Sequence, residues 1–353
     1  AYTTIDNPEL YFQTKLYAGN STARSITFDG SENMQPDWVW IKERDDAINH
    51  YGYDSVRGVD KRLQQNITNA ESDTDTTWFR SFDTNGFTIG TEDNINDTGD
   101  NYVAWCWKAG GSASSNSNGD ITSSVSANQT AGFSIVSYTG SGVFQNTVGH
   151  GLGAVPKMII VKRRSDSREW IVYHSSLGNT KKIHLNDTSA EVTQPAWGNT
   201  TPTSSVFTVS GASQTNWFDT NQASGTYIAY CFADVKGYSK FGSFNGNGNA
   251  DGPFVYCGFL PAWVIIKKTN SSGSVNWFMF DNKRSPINAV DDFLKADTSD
   301  AEGGDGNGYL DFLSNGFKFK TANIGTESGG TFIFMAFAEA PFVNSNGIPN
   351  NAR

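Results

Sequence analysis

Three stretches of the chain share one hydrophobic–polar pattern: a proline, one spacer, four apolar residues and a lysine. They are Pro36-Asp37-Trp38-Val39-Trp40-Ile41-Lys42, Pro156-Lys157-Met158-Ile159-Ile160-Val161-Lys162 and Pro261-Ala262-Trp263-Val264-Ile265-Ile266-Lys267. A proline followed by a short apolar run reads as a strand with a fixed start. The prolines lie 120 and 105 residues apart, which are domain lengths rather than solenoid repeats. Each copy closes on a second strand: Tyr102–Trp107, Tyr227–Phe232 and Phe332–Phe337. Side chains alternate faces along a strand, so Val103, Trp105 and Trp107 share one face while Ala104 and Cys106 share the other. A large and a small apolar face together predict a strand buried on both sides, in the middle of a sheet.

The segments between these strands repeat as well. Phe87, Phe207 and Phe317 follow their prolines by 51, 51 and 56 residues, and Ala70-Glu71, Ala190-Glu191 and Ala301-Glu302 recur ahead of them. Helical patterning is scarce: Asn7-Pro8-Glu9 predicts a cap and one turn, and a short helix after Pro286 is the other candidate. The expected fold is therefore all-β, with three tandem antiparallel β-sandwich modules of jelly-roll type. The expected boundaries are residues 1–110 for an N-terminal arm plus the first module, 111–119 for a Gly/Ser/Asn linker, 120–237 for the second module, 238–342 for the third and 343–353 for a tail. Short connections predict modules that pack on one another.

Composition narrows the function classes. The 353 residues carry a net charge of −10 and no basic run, which argues against nucleic-acid binding through phosphate contacts. No apolar stretch approaches the ~20 residues of a membrane helix, and the N-terminus lacks a signal-peptide layout. Cys106 and Cys231 occupy equivalent places where the third copy has Ala336, so they read as small packing residues; with Cys257 they are expected to be free thiols.

Candidate chemistry is sparse. The four histidines are His50, His150, His174 and His184, and His174 aligns with Asp54 and Asp281. Gly149-His150-Gly151-Leu152-Gly153 superficially resembles an oxyanion-hole loop but comes without a Gly-x-Ser-x-Gly elbow, so a turn is expected. No pair of carboxylates sits on one face of an apolar strand, as glycosidases of this architecture would need. The recurring Glu71, Glu191 and Glu302 read as structural groups bonding loop backbone. Acidic loops at Asp73/Asp75, Asp93/Asp97/Asp100 and Asp297/Asp300/Glu302/Asp305 read first as solvated turns, with loop-bound calcium as the alternative; no other cofactor or metal is expected. Lys42, Lys162 and Lys267 read as strands leaving the core for solvent. Trp78, Trp197, Trp217 and Tyr309 lie near turns rich in Thr, Asp and Asn, and are the candidate glycan contacts.

Several stretches resemble marine tailed-phage virion proteins of the tail-fibre type. They are Ala1–Asp6, Tyr11–Thr14, Trp38–Lys42, Asp54-Ser55-Val56-Arg57-Gly58, Phe82–Phe87, Tyr102–Ala109, Gly149–Lys157, Pro341-Phe342-Val343 and Gly347-Ile348-Pro349. The resemblance covers nearly the whole chain, from which a complete polypeptide lacking only its initiator Met is expected. It implies concanavalin-like (laminin-G-like) jelly-roll domains in a particle component of tails or fibres, and it brings no catalytic residues. The third copy departs from the first two, lacking the Trp-Cys-Trp pattern and carrying a longer loop at 297–308. The expected protein is a non-enzymatic adhesin that presents lectin-like modules to host surface polysaccharide. It would be made in the host cytoplasm, assemble with other virion proteins and form a homo-oligomer, preferably a trimer. A capsid decoration or head-fibre protein is the alternative, and a polysaccharide-degrading tail enzyme a weaker one.

Overall fold

The computed structural model describes residues 2–211, 219–270, 275–304, 306–323 and 325–351. Among them the regular structure is almost wholly antiparallel strand, with a single 3-10 turn at Pro8–Leu10, capped by Asn7, and a four-residue helix at Asp93–Asn96. No helix follows Pro286: the chain there makes bends and short bridges, since its apolar residues are too few and irregularly spaced for a helical face.

Six sheets form three two-sheet sandwiches. The first large sheet has the order Phe12–Ala18, Asn101–Trp107, Trp38–Glu43, Tyr51–Asp54, Gly58–Leu63, Ser72–Asp73. The second and third repeat this order around Thr226–Phe232 and Gly330–Pro341. In all three, the strand that closes the copy lies between the opening strand and the proline strand, as its two apolar faces require. Small sheets cover one face of each: Arg24–Thr27 with Gly86–Ile89 and Phe79–Asp83, Asn146–Gly149 with Val206–Val209, and Phe254–Tyr256 with Gly316–Phe319 and Leu310–Leu313.

Two details depart from the sequence reading. The expected linker carries a strand, Ser114–Asn116, which pairs with Ser123–Asn128 and extends the second sheet. In the third module the proline does not start its strand, because Phe259–Lys268 begins two residues earlier and Pro261 sits at a register shift. A bulge is where a residue without an N–H can be accommodated in a ladder.

The two faces of the central strands serve different cores. Tyr102, Ala104 and Cys106 pack inside the first sandwich with Val39, Ile41 and Phe87. Val103, Trp105 and Trp107 face outward into one core shared by all three modules, together with Trp38, Trp40, Phe133, Ile160, Tyr230, Trp263, Met279 and Phe337. Seven of the ten tryptophans lie in that shared core. Rings meet across module boundaries: Trp38 stacks on Tyr230 at 4.2 Å, Phe12 on Phe337 at 5.2 Å, and Trp107 meets Trp263 edge-on at 5.6 Å. The modules therefore bury their largest side chains against one another, where hydrophobic stabilisation per residue is greatest.

The polar rim of this core is cyclic. The backbone N–H of Glu71 donates to Arg164 O, that of Glu191 to Thr269 O and that of Glu302 to Arg44 O, so each module bonds the next until the ring closes. The same rotation relates Trp170 Nε1 to Gln64 O (2.9 Å), Trp277 Nε1 to His184 O (2.8 Å) and the His50 ring to Lys295 O (3.1 Å).

Lys42, Lys162 and Lys267 stand on the shared-core face at this rim and are fully buried, which corrects the expectation that they lead to solvent. Their ammonium groups are held by backbone carbonyls. Lys162 reaches Arg163 O, Asp166 O and, in the first module, Thr68 O, while Lys267 reaches Val275 O and, in the second, Asp187 O. Burial depresses all three, to about 8, about 7 and about 8.

Candidate functional site

Among the described residues, the glycan contacts expected from sequence do not come together: Trp197 and Tyr309 are buried in different sandwiches and Trp78 lies in the first. Trp197 is buried in the second sandwich beside Tyr173, and Tyr309 is buried in the third between Phe280 and Phe293. Both side chains turn away from their polar loops into the buried clusters of their own sandwiches. Trp78 is half-buried at the rim of the first sandwich, with the Arg62 guanidinium 4.1 Å from its ring centroid and Tyr51 against it. Trp217 lies outside the described residues.

Three of the four histidines, His50, His150 and His174, bond a backbone carbonyl through Nε2. His150 is buried with Nε2 3.1 Å from Thr203 O, and Gly151 and Gly153 on either side of Leu152 have positive φ, as a turn requires. Burial lowers His174 to about 4. The recurring glutamates hold basic side chains rather than loop backbone. Glu71 pairs with Arg164 of the second module at 2.8 Å and with Arg57, Glu302 pairs with Arg44 of the first module and with Arg284, and Glu191 pairs with Lys181.

The acidic loops resolve into individual partnerships. Asp73 meets Lys61, Asp75 accepts from Thr77, and Asp300 pairs with Lys295 at 2.9 Å. Asp297 is buried under Trp277 N and Asn276, and desolvation pushes it up to about 6. Asp305 lies outside the described residues. Asp100 is brought to Glu43 and Asp46 across the end of the first large sheet, with one carboxylate oxygen of each within 4.8 Å of the others. Glu169, His184 and Asp187 make a similar group, but there His184 Nδ1 is bonded to Asp187 at 2.8 Å and Asn186 donates to Glu169.

The surface feature with the right chemistry for a ligand is a cleft of about 440 Å³ beside the third module. Tyr2 and Tyr256 flank it, 58% and 60% exposed, and Phe342 and Val343 form part of its wall. Asp234 and Lys240, ion-paired at 2.9 Å, supply polar groups. The N-terminal arm is fixed there by Thr3 Oγ1 donating to Lys236 O, and the C-terminal segment by Phe342 N donating to Gly258 O. Gly258, on the cleft wall, has φ +82°, the left-handed conformation that favours glycine. A second groove of about 480 Å³ between the first two modules is lined by Gln35, Lys108, Asn128 and Gln129, with no aromatic side chain.

A family model described as a domain of unknown function (DUF7483) matches residues 7–341. The chain belongs to this family. No curated protein and no solved structure matches it. The matched segment of DUF7483 runs through all three sandwiches, in keeping with the single core they share.

Proposed function

We propose that the protein is a non-enzymatic component of a tailed-phage particle, associated with the tail or its fibres, that holds a rigid β block against host surface polysaccharide. The cleft between Tyr2 and Tyr256 carries this reading. Two exposed aromatic faces beside a carboxylate and an ammonium group suit a sugar, whose apolar face stacks on rings while its hydroxyls bond polar groups. Copies arrayed on a particle would multiply weak individual contacts by avidity.

The test is binding of the purified protein to host cells and to their isolated surface polysaccharide. Wild type should bind, Tyr256→Ala and Tyr2→Ala should each weaken binding at least tenfold, and Trp78→Ala should leave it unchanged. Absence of wild-type binding, or equal binding by all three variants, removes the adhesin assignment.

One observation favours a second reading, that of a structural particle protein such as a capsid decoration or head fibre. The cyclic contacts give a single chain threefold character, which suits a seat of matching symmetry on a particle. Labelled antibody on intact particles separates the two, since label on the head supports the second and label on the tail the first.

A further inference from the structure

Alignment of the three modules by strand register places Glu43, Arg163 and Lys268 at one position, opposite Tyr102, Tyr227 and Phe332. In the second module Arg163 is buried, its Nη1 3.3 Å from Asp166 Oδ2, and it crosses Gly225 so closely that a Cβ there would lie 3.2 Å from Arg163 Cδ. In the third, Lys268 crosses Gly330, where a Cβ would lie 2.9 Å from its Cε, and its ammonium meets Ser328 O at 2.9 Å. Two modules thus build a cation into this place and keep a glycine beneath it.

The first module reverses both choices. Glu43 replaces the basic residue and Asp100 the glycine, while Asp46 remains at the position of Asp166. Glu43 is only 3% exposed, its Oε1 has no hydrogen-bond partner, and its carboxylate faces Asp46 and Asp100 within 4.8 Å. The adjacent cations are engaged elsewhere: Lys42 bonds the backbone oxygens of Glu43 and Asp46, and Arg44 is paired with Glu302. A buried carboxylate among two others is costly unless it takes up a proton or a cation joins it.

We propose that the first module binds a calcium ion between Glu43, Asp46 and Asp100, in the place where its sister modules carry an arginine and a lysine. The donor set is all oxygen, which suits a hard cation. Calcium–oxygen distances of about 2.3–2.6 Å put two ligands of one ion no more than about 5 Å apart, as these are. Calcium takes 6–8 oxygens, so water and loop carbonyls complete the shell, whereas magnesium is rarely held by such all-protein carboxylate sets. The ion would tie the loop after Lys42 to the strand that begins at Asn101, at the outer end of the sheet.

Calorimetric titration of the full chain with calcium chloride, after removal of metal by EDTA, tests this. Wild type should bind one calcium, with magnesium at least tenfold weaker. At a calcium concentration of 100 times Kd the folded-to-unfolded ratio should rise about 100-fold, seen as a higher unfolding midpoint. The double variant E43R/D100G installs the second module's arrangement; it should bind no calcium and unfold in EDTA no earlier than wild type. Should E43R/D100G fail to fold, Glu43→Gln serves in its place and should weaken calcium binding at least tenfold with an unchanged circular dichroism spectrum. No calcium binding by wild type, or full binding by the folded variants, overturns the proposal.

Discussion

Asp54 anchors the contact between the first and second modules, and its repeat equivalents give a sharp test of the cyclic design. Its carboxylate is fully buried. It accepts from the Arg57 guanidinium, from the backbone N–H groups of Val56 (3.1 Å) and Arg57 (2.9 Å), and from Tyr230 Oη of the second module at 2.7 Å. The third module repeats the device with Asp281, Arg284 and Trp105 Nε1 of the first module at 3.0 Å. The second module replaces the set: His174 stands for Asp54, Leu177 for Arg57, and the residue from the next module is Met335, which has no donor. His174 instead meets Phe334 O at 3.2 Å, and its Nδ1 accepts from Ser176 N, as Asp54 accepts from Val56 N. Asp54→His alone leaves the Arg57 charge buried with only Glu71 at 3.2 Å and backbone oxygens, so it should cost about 3–5 kcal/mol, the loss seen when one partner of a buried pair is removed. The triple variant D54H/R57L/Y230M reproduces the second module's set and should recover at least half of that loss. Urea unfolding followed by tryptophan fluorescence, with the single variants alongside, measures the coupling. If the triple variant equals the sum of its single changes to within about 0.5 kcal/mol, the three positions act independently and the reasoning fails.

The buried lysines set a pH dependence. Lys42, Lys162 and Lys267 have depressed folded-state values of about 8, about 7 and about 8, so between about pH 7 and pH 10 the unfolded chain holds more protons than the folded one. Stability should therefore rise with pH across that window, with a limiting slope of about 1.4 kcal/mol per pH unit for each lysine titrating, and Lys162→Met should flatten it. Asp297, raised to about 6, works in the opposite direction lower down, its contribution being lost as pH rises from about 4 through 6. Trp263→Ala removes a ring that meets Phe12, Trp105, Trp107 and Phe337, and should cost about 3–5 kcal/mol in urea unfolding. Hydrogen exchange on Trp263→Ala should show faster opening in the first module as well as the third, whereas an effect confined to residues 239–341 would deny the shared core.

Much of the scaffold was legible in the sequence. The tripled proline strand and the doubly apolar closing strand both reappear in the sheet order. Alternation shows that Trp105 and Trp107 share an apolar face, but it carries no information about what that face meets. Here it meets other modules, so the Trp-rich side belongs to a core that no single repeat contains. The lysines misled for the same reason. Four apolar residues and a lysine look like an exit from a core when part of the receiving set, Thr68 O for Lys162 and Asp187 O for Lys267, lies 94 and 80 residues away in another module. Trp197 and Tyr309 were misplaced because polar neighbours in sequence do not say which way a ring points. Tyr2 and Tyr256 come from opposite parts of the chain and share a cleft only after folding. The Glu43, Arg163 and Lys268 reversal needs the strand register to fix the equivalent positions, and its signal in the sequence is a change of charge there.

The central claim, that three sandwiches close around one core and behave as one body, is tested most directly by scanning calorimetry of the full chain. Separate domains joined by short connections would melt in two or three resolvable steps, because each would keep its own cooperative unit. The shared core and the cyclic backbone bonds predict a single endotherm with equal calorimetric and van't Hoff enthalpies. A calorimetric enthalpy two- to threefold above the van't Hoff value, or a module that melts apart from the others, would contradict the account.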